Sequence, residues 1–158
     1  MAGPALETSE EDWDRVLDVN LKGAFFVATE AARRMVSARK EGAIVNVASI
    51  AGIRVAGGIA PYAAAKAGLD HLTRTLAQEW ARFGIRVNAL APGYIATDLN
   101  RDFLASAAGE AIRKRIPMRR FGEASDLDGA LLLLASEAGR FMTGATVVVD
   151  GGHLARSL

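Results

Sequence analysis

Three short apolar runs, at 43–48 (AIVNVA), 85–91 (IRVNALA) and 145–149 (ATVVV), most constrain this chain, because long segments of helical periodicity separate them. Glycine or serine bounds the first run, Pro92-Gly93 closes the second, and Asp150-Gly151-Gly152 closes the third. Such short, branched and continuously apolar runs read as strands covered on both faces, the pattern of a parallel sheet. The order helix, strand, helix, strand, helix, strand then requires crossover connections, so a three-layer α/β fold is expected.

The helical segments carry their own signals. Thr8 with Glu11, and Ser9 with Asp12, have capping-box spacing, and Trp13, Val16, Leu17, Leu21, Phe25, Ala28, Ala32 and Met35 follow at helical intervals. One long amphipathic helix is expected over 9–39, stopped by Gly42. Pro61 suits a helix's first turn, and Ala65, Leu69, Leu72, Leu76 and Trp80 predict a second over 62–83, ended by Gly84. Ser125 and Asp128 open a third through Ala135. Residues 96–120 are polar and without period, which predicts a mobile loop. With no internal repeat or low-complexity tract, residues 1–158 are expected to form a single domain.

Nineteen basic against eighteen acidic side chains leave a net charge of +1, so neither nucleic acid nor an anionic membrane surface is an expected partner. The longest apolar run, 130–135, falls far short of the roughly 20 residues that cross a bilayer. No cysteine occurs, and His71 and His153 are isolated, so no metal site is expected, and a cytoplasmic location fits.

The residues with chemistry to offer are Ser49, Tyr62 and Lys66. Four residues apart on a helix, Tyr62 and Lys66 share one face, and an ammonium beside a phenol that ordinarily titrates near about 10 favours the tyrosinate. Ser49 falls just past the carboxyl end of a strand, where parallel sheets place their ligands, and its hydroxyl suits a carbonyl or alcohol oxygen. Together the three are a candidate proton-transfer site. Taken singly, each has a plainer reading: a chance pair on a helix surface, and a turn or capping hydroxyl.

The segments NVAS at 46–49, YAAAK at 62–66, RVNALAPG at 86–93 and VDGG at 149–152 resemble the short-chain dehydrogenase/reductase family over nearly the whole chain. The resemblance implies NAD or NADP as cofactor and a small carbonyl or alcohol as substrate. Tyr62 would be the general acid/base, Ser49 would orient the substrate oxygen, and Lys66 would also bond the nicotinamide ribose. Asn20, in VNLKG, matches the residue that holds a water in a proton relay with the lysine; a satisfied core amide is its alternative. Pro92, Gly93, Ile95 and Thr97 match the loop over the nicotinamide. The helices 9–39 and 62–83 match a subunit interface, implying a homodimer or homotetramer. Trp13 and Leu131 to Leu134 are expected in the core or that interface, and His71 at the interface or surface, while His153 is left open. The nearest branches resemble 3-oxoacyl carrier-protein reductases and gluconate 5-dehydrogenases, and the basic residues of 96–120 read either as solvated charge or as a mark of an acidic substrate.

In the family a Gly-rich phosphate loop and an Asn-Asn-Ala-Gly turn precede the region matched here, and Ala2-Gly3 resembles the tail of that turn, with Met1 in an asparagine's place. The expectation is a truncated Rossmann-like fold that begins just after the family's fourth strand. The strand at 43–48 would then be a sheet edge, and oligomerisation or marginal stability is expected. The functional expectation is hydride transfer between a carbonyl and a secondary alcohol with Tyr-assisted proton transfer, incomplete as this chain. The alternatives are a non-catalytic oligomerisation module and a second polypeptide that supplies the missing half.

Overall fold

The computed structural model describes residues 3–155; the reading of Met1 and Ala2 as a turn remnant lies outside them. Three parallel strands, β1 (Gly42–Val47), β2 (Ile85–Pro92) and β3 (Thr146–Val149), form one sheet in the order β1-β2-β3. Gly42 pairs with Ile85 and Val47 with Leu90; Ala89 pairs with Thr146 and Pro92 with Val149. Each strand matches its expected run to within a residue at either end.

The first helical segment runs from Glu10 to Ser37 with an unexpected irregularity. α1 (Glu10–Leu17) passes into a π-helical turn at Asp18–Lys22, then into α2 (Gly23–Ser37). Ser9 caps α1, its hydroxyl accepting the Asp12 N–H at 3.1 Å, and the next, wider turn is marked by the Gly23 N–H reaching back five residues to the Asp18 carbonyl. α3 (Ala60–Trp80) is one uninterrupted segment with Pro61 in its first turn.

α2 and α3 lie on one face of the sheet. Ala28 and Ala32 of α2, Leu76 and Ala77 of α3, and Ile85 and Val87 of β2 form the buried cluster, with Ile44 of β1 packed on it. Strand alternation sends Arg86 and Asn88 to the opposite face. There Arg86 donates to the carbonyls of Leu134, Ser136 and Met142, gathering the end of α6 (Asp128–Ala135). Within α6 only Leu134 is fully buried; Leu131, Leu132 and Leu133 keep exposed surface, as does Trp13.

Two regions depart from expectation. The polar stretch 96–120 contains two short helices, α4 (Arg101–Ala105) and α5 (Ala107–Arg113), with Ser106 capping the second through the Gly109 N–H. Its charges are paired locally: Arg101 with Asp98, Arg113 with Glu110, and Arg120 with Asp126. Toward β3, the buried amide of Asn88 acts as a backbone mimic. It donates to the Met142 carbonyl at 2.8 Å and accepts the Ala145 N–H at 3.0 Å, guiding the chain into the last strand.

Candidate active site

The carboxyl ends of the three strands lie together, and each continues into a turn with polar or small residues. Past β1, buried Ala48 leads to Ser49, whose hydroxyl accepts the Ala51 N–H at 3.1 Å and caps the 3-10 turn Ile50–Gly52. That turn rests on α3. A Cβ built on Gly52 would stand 2.7 Å from both the Lys66 carbonyl carbon and the Ala67 nitrogen, so the two segments meet backbone to backbone and only glycine fits. At the strand ends Ala48, Ala89 and Ala91 form a small buried cluster.

Tyr62 and Lys66 stand on α3 beside its buried stripe of Ala65, Leu69, Thr73 and Leu76. The Lys66 ammonium lies 5.6 Å from the centroid of the Tyr62 ring, within cation–π range. It also donates to the Val47 carbonyl at 2.9 Å. The Gly42 and Ala48 N–H groups point at β2, donating to Gly84 and Leu90, so strand alternation turns the Val47 carbonyl toward the open edge. Among the described residues no strand pairs with that edge, and Val47 is 55% exposed. Burial pushes the Lys66 amine below its ordinary value of 10.5, because a desolvated ammonium is disfavoured.

Asn20 sits within the π-helical turn, half-buried, where its side-chain amide donates to the Val16 carbonyl at 3.0 Å. Leu21, its neighbour, packs on Gly68 of α3: a Cβ there would come 3.1 Å from the leucine. No hydrogen bond joins Asn20 to Tyr62 or Lys66 among the described residues. The sequence spacing had no means of showing the π-helical turn, because the apolar period continues through it.

The segment after β2 is held by its backbone and by one residue missed in the sequence. Pro92 pairs with Val149, the Gly93 N–H donates to the Val149 carbonyl at 2.9 Å, and Ile95 bridges to Gly122. Asn100 then staples the loop: its Oδ1 accepts the Thr97 N–H and its amide donates to the Ile95 carbonyl, both at 2.8 Å. An asparagine three residues after Thr97 in a turn was the available signal.

Beside this loop is a cavity of about 140 Å³, with Tyr94, Ile95, Arg120, Asp126 and Asp150 in its wall. The Arg120 guanidinium donates to both oxygens of Asp126, at 2.6 and 2.8 Å. That pairing, with the Glu123 N–H, holds the Asp126 carboxyl well below the usual carboxylate range. Ser49, Tyr62 and Lys66 do not line this cavity; they stand at the open end of β1. Buried His153 lies near it, its ring 5.8 Å from that of Tyr94. His71 is exposed and borders an apolar groove of about 590 Å³ between α1–α2 and α3, with Leu17, Leu21, Phe25 and Leu72.

Fold and site define a class: a parallel α/β protein that gathers a serine, a tyrosine–lysine pair and a glycine-containing loop at the carboxyl ends of its strands. Comparison with known proteins narrows this. The family described as enoyl-(acyl carrier protein) reductase matches residues 1–153. The chain is 42% identical over 153 residues to a 2-dehydro-3-deoxy-D-gluconate 5-dehydrogenase of Escherichia coli (strain K12), covering 96% of this chain and 60% of that protein. A solved gluconate 5-dehydrogenase from Burkholderia cenocepacia J2315, in complex with NADP and tartrate, superposes with a TM-score of 0.94. It is 39% identical and covers 99% of this chain and 62% of its own. A 4-hydroxyisoleucine dehydrogenase complexed with NADH reaches a TM-score of 0.94 at 34% identity, covering 99% of this chain and 65% of its own.

The chain belongs to the short-chain dehydrogenase/reductase family, and its fold is Rossmann-like. It spans about 60% of the length of the curated relatives it matches. No helix among the described residues is long and apolar enough to cross a membrane. Nor does any group of three or more metal-ligating side chains occur among them.

Proposed function

We propose that this chain carries the proton-handling residues of a cytoplasmic NAD(P)-dependent oxidoreductase that interconverts a secondary alcohol and a carbonyl, with a hydroxy acid of the sugar-acid class as substrate. One observation carries the reading: the Lys66 ammonium over the Tyr62 ring, on a helix seated directly against the Ser49 turn. The relatives named for gluconate derivatives, and the tartrate in one of them, support the substrate class.

In this reading the Tyr62 hydroxyl holds and delivers the proton at the substrate oxygen. Ser49 accepts the Ala51 N–H, which leaves its own O–H to donate to that oxygen and orient it. Lys66 sets its ammonium over the Tyr62 ring, so a positive charge stands beside the group that moves the proton. With its amide donated to Val16, Asn20 keeps Oδ1 as an acceptor for a water on the path to Lys66.

The donor set fits a nicotinamide ribose. Lys66 gives one N–H to Val47 and has further donors for ribose hydroxyls. Tyr62, Lys66, Pro92, Gly93, Ile95 and Thr97 would hold NAD or NADP, which when bound supplies or accepts the hydride. The apolar groove between α1–α2 and α3, with Phe26 and Val27 exposed nearby on α2, supports a homodimer or homotetramer through these helices. The same groove favours a second reading, an oligomerisation module without catalysis.

The test is a fluorescence titration of the purified chain with NADH and NADPH, followed by turnover assays with gluconate and its 5-keto product. Tyr62→Phe should lower kcat roughly a hundredfold or more, with a far smaller loss of cofactor affinity because Lys66 and the loop after β2 keep their contacts. Retention of most of the turnover would remove Tyr62 from its role. Absence of both binding and turnover, with intact assembly, would favour the oligomerisation module.

A further inference from the structure

We propose that Arg54 is a specificity residue that recognises the carboxylate of an anionic substrate. Its substrate class rests on the function proposed above. Arg54 follows the Ser49 turn directly, and its own N–H closes that turn on the Ile50 carbonyl at 2.8 Å. Its guanidinium then reaches across the sheet end and donates through Nη1 to the His153 carbonyl at 2.7 Å. His153 belongs to the turn after β3, and its ring rests on Tyr94 of the segment after β2. Arg54 therefore straps the loop carrying Ser49 to the other two strand-end loops, at the end of the sheet where the reaction is placed.

Among the described residues no carboxylate pairs with its charge. Arg101, Arg113 and Arg120 each have a carboxylate partner close in sequence. Asp150, in the turn that leads to His153, already accepts the Gly152 and Leu154 N–H groups with its two oxygens, at 2.8 and 2.7 Å. Arg54 has no acidic partner among the described residues, its side chain is exposed, and one of its five donors is bound to a backbone carbonyl. That bond anchors the planar fork and leaves other N–H groups for a carboxylate, the geometry at which arginine exceeds lysine.

The test uses the full chain with tartrate as probe in isothermal titration calorimetry. Arg54→Gln keeps a neutral donor for the His153 carbonyl, and Arg54→Lys keeps the charge without the fork. Tartrate affinity should fall about tenfold or more in the first variant and less in the second. In turnover, KM for gluconate should rise in Arg54→Gln with kcat preserved, while a neutral polyol such as sorbitol is handled as by the unmodified protein. NADPH affinity should not change.

Failure of the unmodified chain to bind tartrate overturns the proposal, as does equal binding by Arg54→Gln. Loss of sorbitol turnover in Arg54→Gln would assign Arg54 a structural role instead, and a selective loss of NADPH affinity would assign it to a cofactor phosphate. Should Arg54→Gln not fold, the Arg54→Lys titration decides, with unchanged affinity counting against. If the unmodified chain neither binds cofactor nor turns over substrate, the oxidoreductase reading fails while the tartrate titration still decides the role of Arg54.

Discussion

Gly52 and Lys66 touch through their backbones: a Cβ on the glycine would lie 2.7 Å from the Lys66 carbonyl carbon. This contact seats the turn capped by Ser49 on the helix that presents Tyr62 and Lys66. The relative position of the three side chains thus depends on a residue with no side chain.

Gly52→Ala should destabilise the protein by about 1–3 kcal/mol, because the new methyl meets backbone that has no room to give. Gly57→Ala, where nothing lies within 4 Å of the added carbon, is the control and should be close to neutral. Urea unfolding of the two variants compares them directly. Equal stability would show that the turn lifts off α3 at little cost.

Buried Asn46 on β1 donates to the Thr73 hydroxyl at 2.9 Å, which in turn donates to the Leu69 carbonyl at 2.8 Å. Thr73→Val keeps the shape but leaves the Asn46 amide without its acceptor. A loss of about 1–3 kcal/mol is expected. Asn46→Leu in the Thr73→Val background should then cost much less than in the unmodified protein, a coupling measured by a double-mutant cycle.

Lys66 gives the protein a pH signature. Its folded value is lowered from 10.5 by burial, so between that lowered value and 10.5 the unfolded chain binds the extra proton. The contribution is therefore present in full above 10.5 and is lost as pH falls through the folded value. Stability from this group rises with pH between the lowered folded value and 10.5. Lys66→Met should remove that rise, as read from unfolding midpoints at neutral and alkaline pH. An identical alkaline rise in the variant would assign it to another group.

Asn100 is expected to govern the loop after β2 more than global stability. Asn100→Ala removes both side-chain bonds to Ile95 and Thr97 and should cost roughly 1 kcal/mol or less overall, since the loop is exposed. Amide hydrogen exchange at Ile95 through Thr97 should nonetheless accelerate clearly. If NAD(P)H binds through this loop, its affinity falls in the same variant. Unaltered exchange there would mean that the Ile95–Gly122 bridge alone holds the segment.

Some features were legible in the chain because they are local. The strands at 42–47, 85–92 and 146–149 have the short branched composition of covered strands, and Tyr62 and Lys66 meet because four residues make one helical turn. α4 and α5 were not legible: at five and seven residues they are too short and too polar to show a period. The π-helical turn holding Asn20 leaves the apolar spacing almost unchanged, so it too was hidden. Asn88 looked like one more strand residue, and only its partners at 142 and 145 reveal what it does.

By itself the sequence determined the parallel α/β class, the helix–strand order and the pairing of a phenol with an amine on one helix face, since periodicity and i,i+4 geometry act within a few residues. Tertiary structure alone decided that Gly52 seats the serine turn on Lys66, that Lys66 reaches an edge carbonyl of β1, and that Arg54 spans to His153, 99 residues away. Those contacts join segments distant in the chain. They arise from how closely backbones pack and where strand ends fall, which no local spacing encodes.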